Sequence, residues 1–337
     1  MARCAQIPVL TAVAVVIYNR RTERQAIPVH EDGYIVVVGG VNMDISGTTA
    51  TSMLPRDSNP GHVTLSPGGV GRNIAENLCR LGCRVKMITA FGQDANAEAI
   101  RRDGEKYGLD FSHSVTLPGA RTSTYVCLND PDGEIYAAVS DMDIYEQLTP
   151  DVLRDKIDVL RDAKLVIVDA NLTEETLAWL ADNCPAPMAA DPVSVAKAGK
   201  LMPCLKRLHI VKPNRAEATL LTGVKIVGLL GLDRAAQKLL DAGVKNVFIS
   251  LGAEGVYYND GTCSGICPIA PAKVVNTTGS GDAFCAAAAL GCAMGLHIRD
   301  IARMGQAAAG LCSESEAAVS PEITMEHLNA MIEQMEA

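Results

Sequence analysis

The stretch Asn276-Thr277-Thr278-Gly279-Ser280-Gly281-Asp282-Ala283-Phe284 decides how the rest of the chain is read. Small, flexible residues precede a run of helix formers from Ala283 to Met294, so the spacing predicts a glycine turn opening a helix. Such a junction aims several backbone N–H groups and the positive end of the helix dipole at one spot, which suits phosphate. Asp282 stands at the mouth of that nest, where a carboxylate could take the proton of a hydroxyl attacking a phosphoryl group. The plain alternative is a helix N-cap, for which Asp is a favoured residue. The turn is not a Walker A loop: Gly199-Lys200 is followed by Leu201, and no other Gly-Lys-Ser/Thr candidate occurs.

Working outward, Tyr34-Ile35-Val36-Val37-Val38 ends in Gly39-Gly40, as a buried parallel strand would. A polar stretch, 46–61, and a strand at His62–Leu65 follow. A second glycine turn, Pro67-Gly68-Gly69-Val70-Gly71-Arg72-Asn73, leads into a helix whose Ile74, Leu78 and Leu81 share one face, and Gly82 stops it. Val85–Ile88 reads as the next strand. Thr122–Leu128 and Glu134–Val139 read as a hairpin around Asn129-Asp130-Pro131-Asp132-Gly133, a candidate for a separate small sheet. Leu165–Val168, Met188–Ala190, His209–Val211 and Val247–Ser250 then alternate with helical patterns. The alternation predicts an α/β fold with a doubly wound, mostly parallel sheet and helices on both faces.

Composition narrows the function. Of 337 residues, 48% are apolar and 20% charged, which excludes wholesale disorder, and the formal charge of -9 argues against duplex nucleic acid or an anionic membrane as partner. No segment approaches the roughly 20 apolar residues of a membrane span. Eleven scattered cysteines in a chain this long point to reduced thiols and a cytoplasmic setting rather than a disulfide scaffold. The pairs Cys79/Cys83 and Cys263/Cys267 lack the second pair that a zinc site needs, and the six histidines are dispersed. Residues 1–32 read as an extension, an extra strand or a misplaced start; Leu10–Ile17 is apolar but lacks a small-residue cleavage site.

Three further motifs join the glycine turn: Val41-Asn42-Met43-Asp44 after the first strand, Pro67–Asn73, and Lys212-Pro213-Asn214-Arg215-Ala216-Glu217. In order and spacing they resemble the signatures of the ribokinase-like (PfkB) carbohydrate kinases over about residues 34–320. Within that family, Asp57-Ser58-Asn59-Pro60-Gly61, Ser140-Asp141-Met142-Asp143-Ile144, Asp191-Pro192-Val193-Ser194 and Asn276-Thr277-Thr278-Gly279 look like the pseudouridine kinases.

The resemblance implies a kinase domain over 33–325, with lid segments 46–66 and 122–139 and a helix end at 326–337. It implies ATP and Mg²⁺ as cofactors and a nucleoside or sugar as acceptor, with pseudouridine first. Other acceptors, such as ribose, a ketohexose, 2-keto-3-deoxygluconate or uridine, and a non-catalytic nucleoside sensor are the alternatives. Asp282 would be the base, with Gly279, Ser280 and Gly281 as the anion hole. Asn42, Asp44, Gly68, Gly69 and Asn73 would hold the sugar, and Asp57, Asn59 and Thr124 would read the base. Asn214 and Glu217 would organise Mg²⁺, since that ion prefers hard oxygens. Asn214, Ser250, Gly252, Gly255 and Thr278 would meet the nucleotide. Many relatives have Asp where Asn276 stands, which weakens the case for a K⁺ site. A homodimer through the lid is expected.

Overall fold

The computed structural model describes residues 14–18, 24–28 and 33–336. Within the N-terminal extension, Ala14–Tyr18 (β1) and Arg24–Pro28 (β2) pair antiparallel; the rest of that segment, including the first half of the apolar run, lies outside the described residues. Ile35–Val38 (β3) is a fully buried β-branched strand, as read. Asn42–Thr49 (β4) and Gly61–Gly68 (β5) form a hairpin, followed by Val70–Arg80 (α1) and Val85–Ile88 (β6). Next come Ala90–Phe91 (β7), Ala95–Glu105 (α2), Val115–Thr116 (β8), Thr124–Asn129 (β9) and Ile135–Asp141 (β10).

Two short helices, Pro150–Arg154 (α3) and Ile157–Arg161 (α4), lead into Leu165–Asp169 (β11), Glu174–Asn183 (α5) and Met188–Asp191 (β12). Val195–Ala198 (α6), Leu208–Val211 (β13), Arg215–Thr222 (α7), Gly228–Asp241 (α8) and Asn246–Ser250 (β14) continue the alternation. Val256–Asn259 (β15), Ser264–Cys267 (β16), Ser280–Ala293 (α9), Ile298–Ser313 (α10) and Met325–Glu336 (α11) complete the chain.

The large sheet runs β16-β15-β14-β13-β12-β11-β3-β6. Its six central and right-hand strands are parallel, while β15 and β16 are antiparallel additions that the sequence reading does not contain. Strand alternation splits the apolar side chains between two cores. Ile35, Val37, Leu165 and Ile167 pack with α1, α9, α10 and α11; Val36, Val38, Val166 and Val168 pack with α5 and α8 on the other face. The C-terminal helix belongs to the first core through Met325, Leu328 and Met331.

A separate sheet, β10-β9-β4-β5, stands off the large one. Strand β4 begins at Asn42 and takes up Ser46–Thr49, where the sequence predicts only a polar stretch. Hydrogen bonding to β5 on one side and β9 on the other outweighs the weak strand preference of Asp44 and Gly47. Register gives this sheet one polar and one apolar face. Asp44 aligns with Ser66 and Tyr125, whereas Ile45 aligns with Leu65 and Val126. On the apolar face Val63, Leu65 and Val139 are each more than 60% exposed.

Candidate active site

The chemistry-bearing residues collect at the carboxyl ends of the parallel strands, where open α/β sheets bind ligands. Gly39–Val41 follow β3, Asp169 and Asp191 end β11 and β12, Lys212–Asn214 follow β13 and Ser250 ends β14. Helices α1 and α9 bring their N-terminal turns to the same edge.

Gly279, at φ 80°, is the N-cap of α9, so Asp282 is the third helical residue and not the cap. A β-carbon on Gly279 would stand 1.8 Å from the Ala318 carbonyl oxygen, so no other residue fits there without moving the turn. Released from capping, the Asp282 carboxylate accepts a hydrogen bond from Asn73 Nδ2 at 2.9 Å. Burial pushes its carboxyl up to about 7, and the negative charges of Asp191 and Asp169 add to that, while Asn73 and Lys212 oppose it. A base with that affinity is matched to proton abstraction near neutral pH.

Asn73 is itself oriented. Its Oδ1 accepts from Arg72, a buried guanidinium clamped by Glu76 and Asp103. The same helix start meets β4. Asn42 Nδ2 donates to the Asp44 carboxylate, and a β-carbon on Gly68 would lie 2.0 Å from Asp44 Oδ2. Gly69, at φ 100°, closes against the Gly40 carbonyl and the Asn42 amide oxygen. Asn42, Asp44, Gly68, Gly69, Asn73 and Asp282 thus form one constellation. Burial also raises the Asp44 carboxyl, with Asn42 and Arg72 countering it.

Several residues in this constellation carry no role in the sequence reading. Lys212 and Asp191 form a buried ion pair, Nζ to Oδ2 3.6 Å. Asp191 Oδ1 also accepts the Val193 N–H at 2.8 Å. Val193 sits at φ 65°, a left-handed conformation that costs a β-branched residue on the order of 1–3 kcal/mol. Asp169, fully buried, accepts from the Gly40 and Asn171 amides and ties β11 to the turn after β3. Asp191 and Lys212 do stand in motifs visible in the sequence; what strand spacing does not reveal is that β12 and β13 set them side by side.

Asn214 and Glu217 form a reciprocal capping box on α7: Asn214 Oδ1 accepts the Glu217 N–H and Glu217 Oε2 accepts the Asn214 N–H. Asn214 also bridges to Ser250 in β14. Burial raises the Glu217 carboxyl. Among the described residues no group of three or more His, Cys, Asp or Glu could hold a metal alone. The oxygen donors of Glu217 and Asn214 fit Mg²⁺ as an ion shared with the phosphates it travels with, which is its usual mode of binding.

Beside the α9 turn lies a cavity of about 530 Å³ lined by Ser250, Gly252, Gly255, Thr277, Ser280, Gly281, Phe284 and Gln306, with Val256, Ile269 and Val274 making much of its wall. Thr277 lines it and Thr278 does not: the Thr278 N–H turns to Asn276 Oδ1, and Asn276 Nδ2 donates to the Glu316 carbonyl. Gln306, buried in this cavity, has no role in the sequence reading.

The three proposed base readers are not brought to Asp44. Asp57 and Asn59 organise the exposed turn at the far tip of the β4–β5 hairpin, where Asn59 exchanges hydrogen bonds with Leu54. That tip begins five residues beyond Asp44, roughly 17 Å along the strand. Thr124 pairs with Met43, so the two-residue period turns it to the apolar face, where its hydroxyl accepts from Asn96. Its neighbour Tyr125 faces the Asp44 side.

A glycine turn opening a helix, a part-buried carboxylate beside it and a second carboxylate on a covering sheet are the groups that a phosphotransferase with a polyol acceptor needs. The chain belongs to the pfkB family of carbohydrate kinases, whose model matches residues 32–325. It is 33% identical over 309 residues to the pseudouridine kinase of Escherichia coli, covering 91% of this chain and 98% of that one. It is 35% identical over 306 residues to the uncharacterized sugar kinase YeiI of Escherichia coli, covering 90% and 84%. Among solved structures, a carbohydrate kinase from Agrobacterium tumefaciens superposes with TM-score 0.79 at 32% identity, covering 90% of this chain and 98% of that one. A ribokinase of Arabidopsis thaliana complexed with ribose and ATP superposes with TM-score 0.79 at 23% identity, covering 89% and 98%, a likeness of fold. Kinases of this family use ATP to phosphorylate a sugar or nucleoside.

Proposed function

We propose that this kinase transfers the γ-phosphoryl group of ATP to the 5′-hydroxyl of pseudouridine. The observation that carries the phosphotransfer reading is the Asn73–Asp282 hydrogen bond, which ties the first turn of α9 to the first turn of α1. The acceptor rests on the likeness to the Escherichia coli pseudouridine kinase and on the shared motifs.

In this reading Asp44 accepts from vicinal ribose hydroxyls, which one carboxylate can do at once. Asp282 takes the 5′-hydroxyl proton as the oxygen attacks phosphorus. The backbone of Gly279–Gly281 receives the charge that develops on the transferring group, a contribution of about 10²–10³ in rate per donor. Mg²⁺, held beside Glu217 and Asn214, would neutralise phosphate charge. Ser250, Gly252 and Gly255 border the nucleotide, and the polar face of the small sheet, with Tyr125 near Asp44, meets the acceptor. Closure of that sheet as a lid would keep water, a competing acceptor, from the phosphoryl group. The Asn276 oxygen already accepts an N–H, so turnover is expected without added K⁺.

The apolar outer face of the small sheet pairs with its copy in a homodimer. The enzyme works in the cytoplasm and feeds catabolism of the modified nucleoside.

ADP release with Mg-ATP, measured in parallel on pseudouridine, uridine, ribose, fructose and 2-keto-3-deoxygluconate, tests the reading. Turnover on pseudouridine well above uridine is the expected result. The likeness to the sugar kinase YeiI favours a second reading, a free sugar as acceptor, and turnover on a sugar alone would replace the first.

A further inference from the structure

The Lys212 side chain is more than nine-tenths buried, yet its ammonium makes no hydrogen bond among the described residues; its one ionic partner, Asp191 Oδ2, lies at 3.6 Å, beyond good hydrogen-bond length. A lysine head carries three N–H donors, and buried donors are seldom left unspent. Nζ lies 3.3 Å from where a β-carbon on Gly281 would stand, directly under the first turn of α9. A charged donor therefore sits behind the same glycine turn whose amides face a phosphoryl group.

We propose that Lys212 is a further catalytic residue, donating a charge-assisted hydrogen bond to a non-bridging oxygen of the group in transfer. The inference rests on the phosphotransfer reading and adds a side-chain cation to a site otherwise made of backbone amides. The new bond joins the acceptor oxygen to phosphorus while the bond from phosphorus to the β–γ bridging oxygen breaks. The electron pair leaves with ADP, the hydroxyl proton goes to Asp282, and Lys212 stays protonated throughout. Asp191 is the positioning residue. It holds the ammonium from below, and its other oxygen is fixed by the N–H of the strained Val193. Charge is needed most when the phosphoryl group is in flight, so the donor acts on the transition state more than on bound ATP.

The test uses the full-length enzyme and Lys212→Met, with Lys212→Arg as the charge-retaining variant. With an acceptor that wild type turns over, Lys212→Met is expected to lose about 10²–10³ in kcat. Acceptor affinity should stay within about threefold, because Asp44 and not Lys212 holds the sugar. Affinity for ADP with aluminium fluoride, a planar mimic of the phosphoryl group, should fall at least tenfold more than affinity for ADP alone. Lys212→Arg should recover at least tenfold of the lost kcat. A folded Lys212→Met with kcat within threefold of wild type overturns the proposal. So do equal losses for ADP with and without aluminium fluoride. If Lys212→Met does not fold, Lys212→Gln, neutral but able to bond Asp191, carries the same comparison. Failure of wild type on every acceptor would instead strike the phosphotransfer reading itself.

Discussion

Asp282 concentrates the testable chemistry at the scale of single residues. Asp282→Asn keeps the size and the contact with Asn73 but removes the base; kcat should fall by about 10²–10⁴ while acceptor binding, read by calorimetry, persists. Undiminished turnover would remove the assigned role. The pH profile follows from the same surroundings. Burial and the charges of Asp191 and Asp169 raise this carboxyl to about 7 against Asn73 and Lys212, and only the ionised form accepts a proton. The acid limb of kcat/KM should therefore bend near neutrality, and a limb near pH 4 would contradict the crowding seen here. Stability moves in the opposite sense. Because the folded carboxyl binds its proton more tightly than the unfolded one, Asp282 favours the folded state increasingly as pH falls from 7 towards 4. Mutating it to Asn should flatten that part of a stability-versus-pH curve.

At the scale of elements, the glycine turns are positions where geometry forbids a side chain. Gly279→Ala combines a left-handed backbone with a β-carbon on the Ala318 carbonyl, and should cost more than about 1 kcal/mol, seen as a lower Tm, along with the turnover that depends on this turn. Gly68→Ala would displace the Asp44 carboxylate and should raise KM for the acceptor more than KM for ATP. These elements were also the legible ones. Strands such as Ile35–Val38 announce themselves because four consecutive buried positions leave little choice of residue, and glycine before a helix is a local signal. What the sequence hides is pairing between distant segments. Thr124 suits a site residue by its place in the lid segment 122–139, but only register shows that it shares a face with Met43 and not with Asp44. Asp57 and Asn59 lie away from Asp44 of the same chain for a related reason: adjacency in sequence to the glycine turn becomes distance once β5 runs fully extended. The Lys212–Asp191 pair needed the order of two parallel strands, which no short motif encodes. Strands β15 and β16 were missed because Gly261 and Gly265 obscure an otherwise ordinary hairpin.

For the whole molecule, the exposed apolar face of the small sheet sets the expected assembly. Replacing Val63 and Val139 with Asp places charges where two copies would meet, and sedimentation should then report monomer where wild type reports dimer; an unchanged distribution would exclude this face. The cavity beside α9 has a different consequence. Its walls are chiefly alanine, glycine, valine and isoleucine, with few side-chain polar groups to interrogate a purine edge. Apolar walls reject a similarly shaped base only weakly. The enzyme should therefore be indifferent to which purine triphosphate it spends, drawing on whichever pool is fuller and coupling phosphorylation of its acceptor to total phosphoryl supply instead of to adenylate alone.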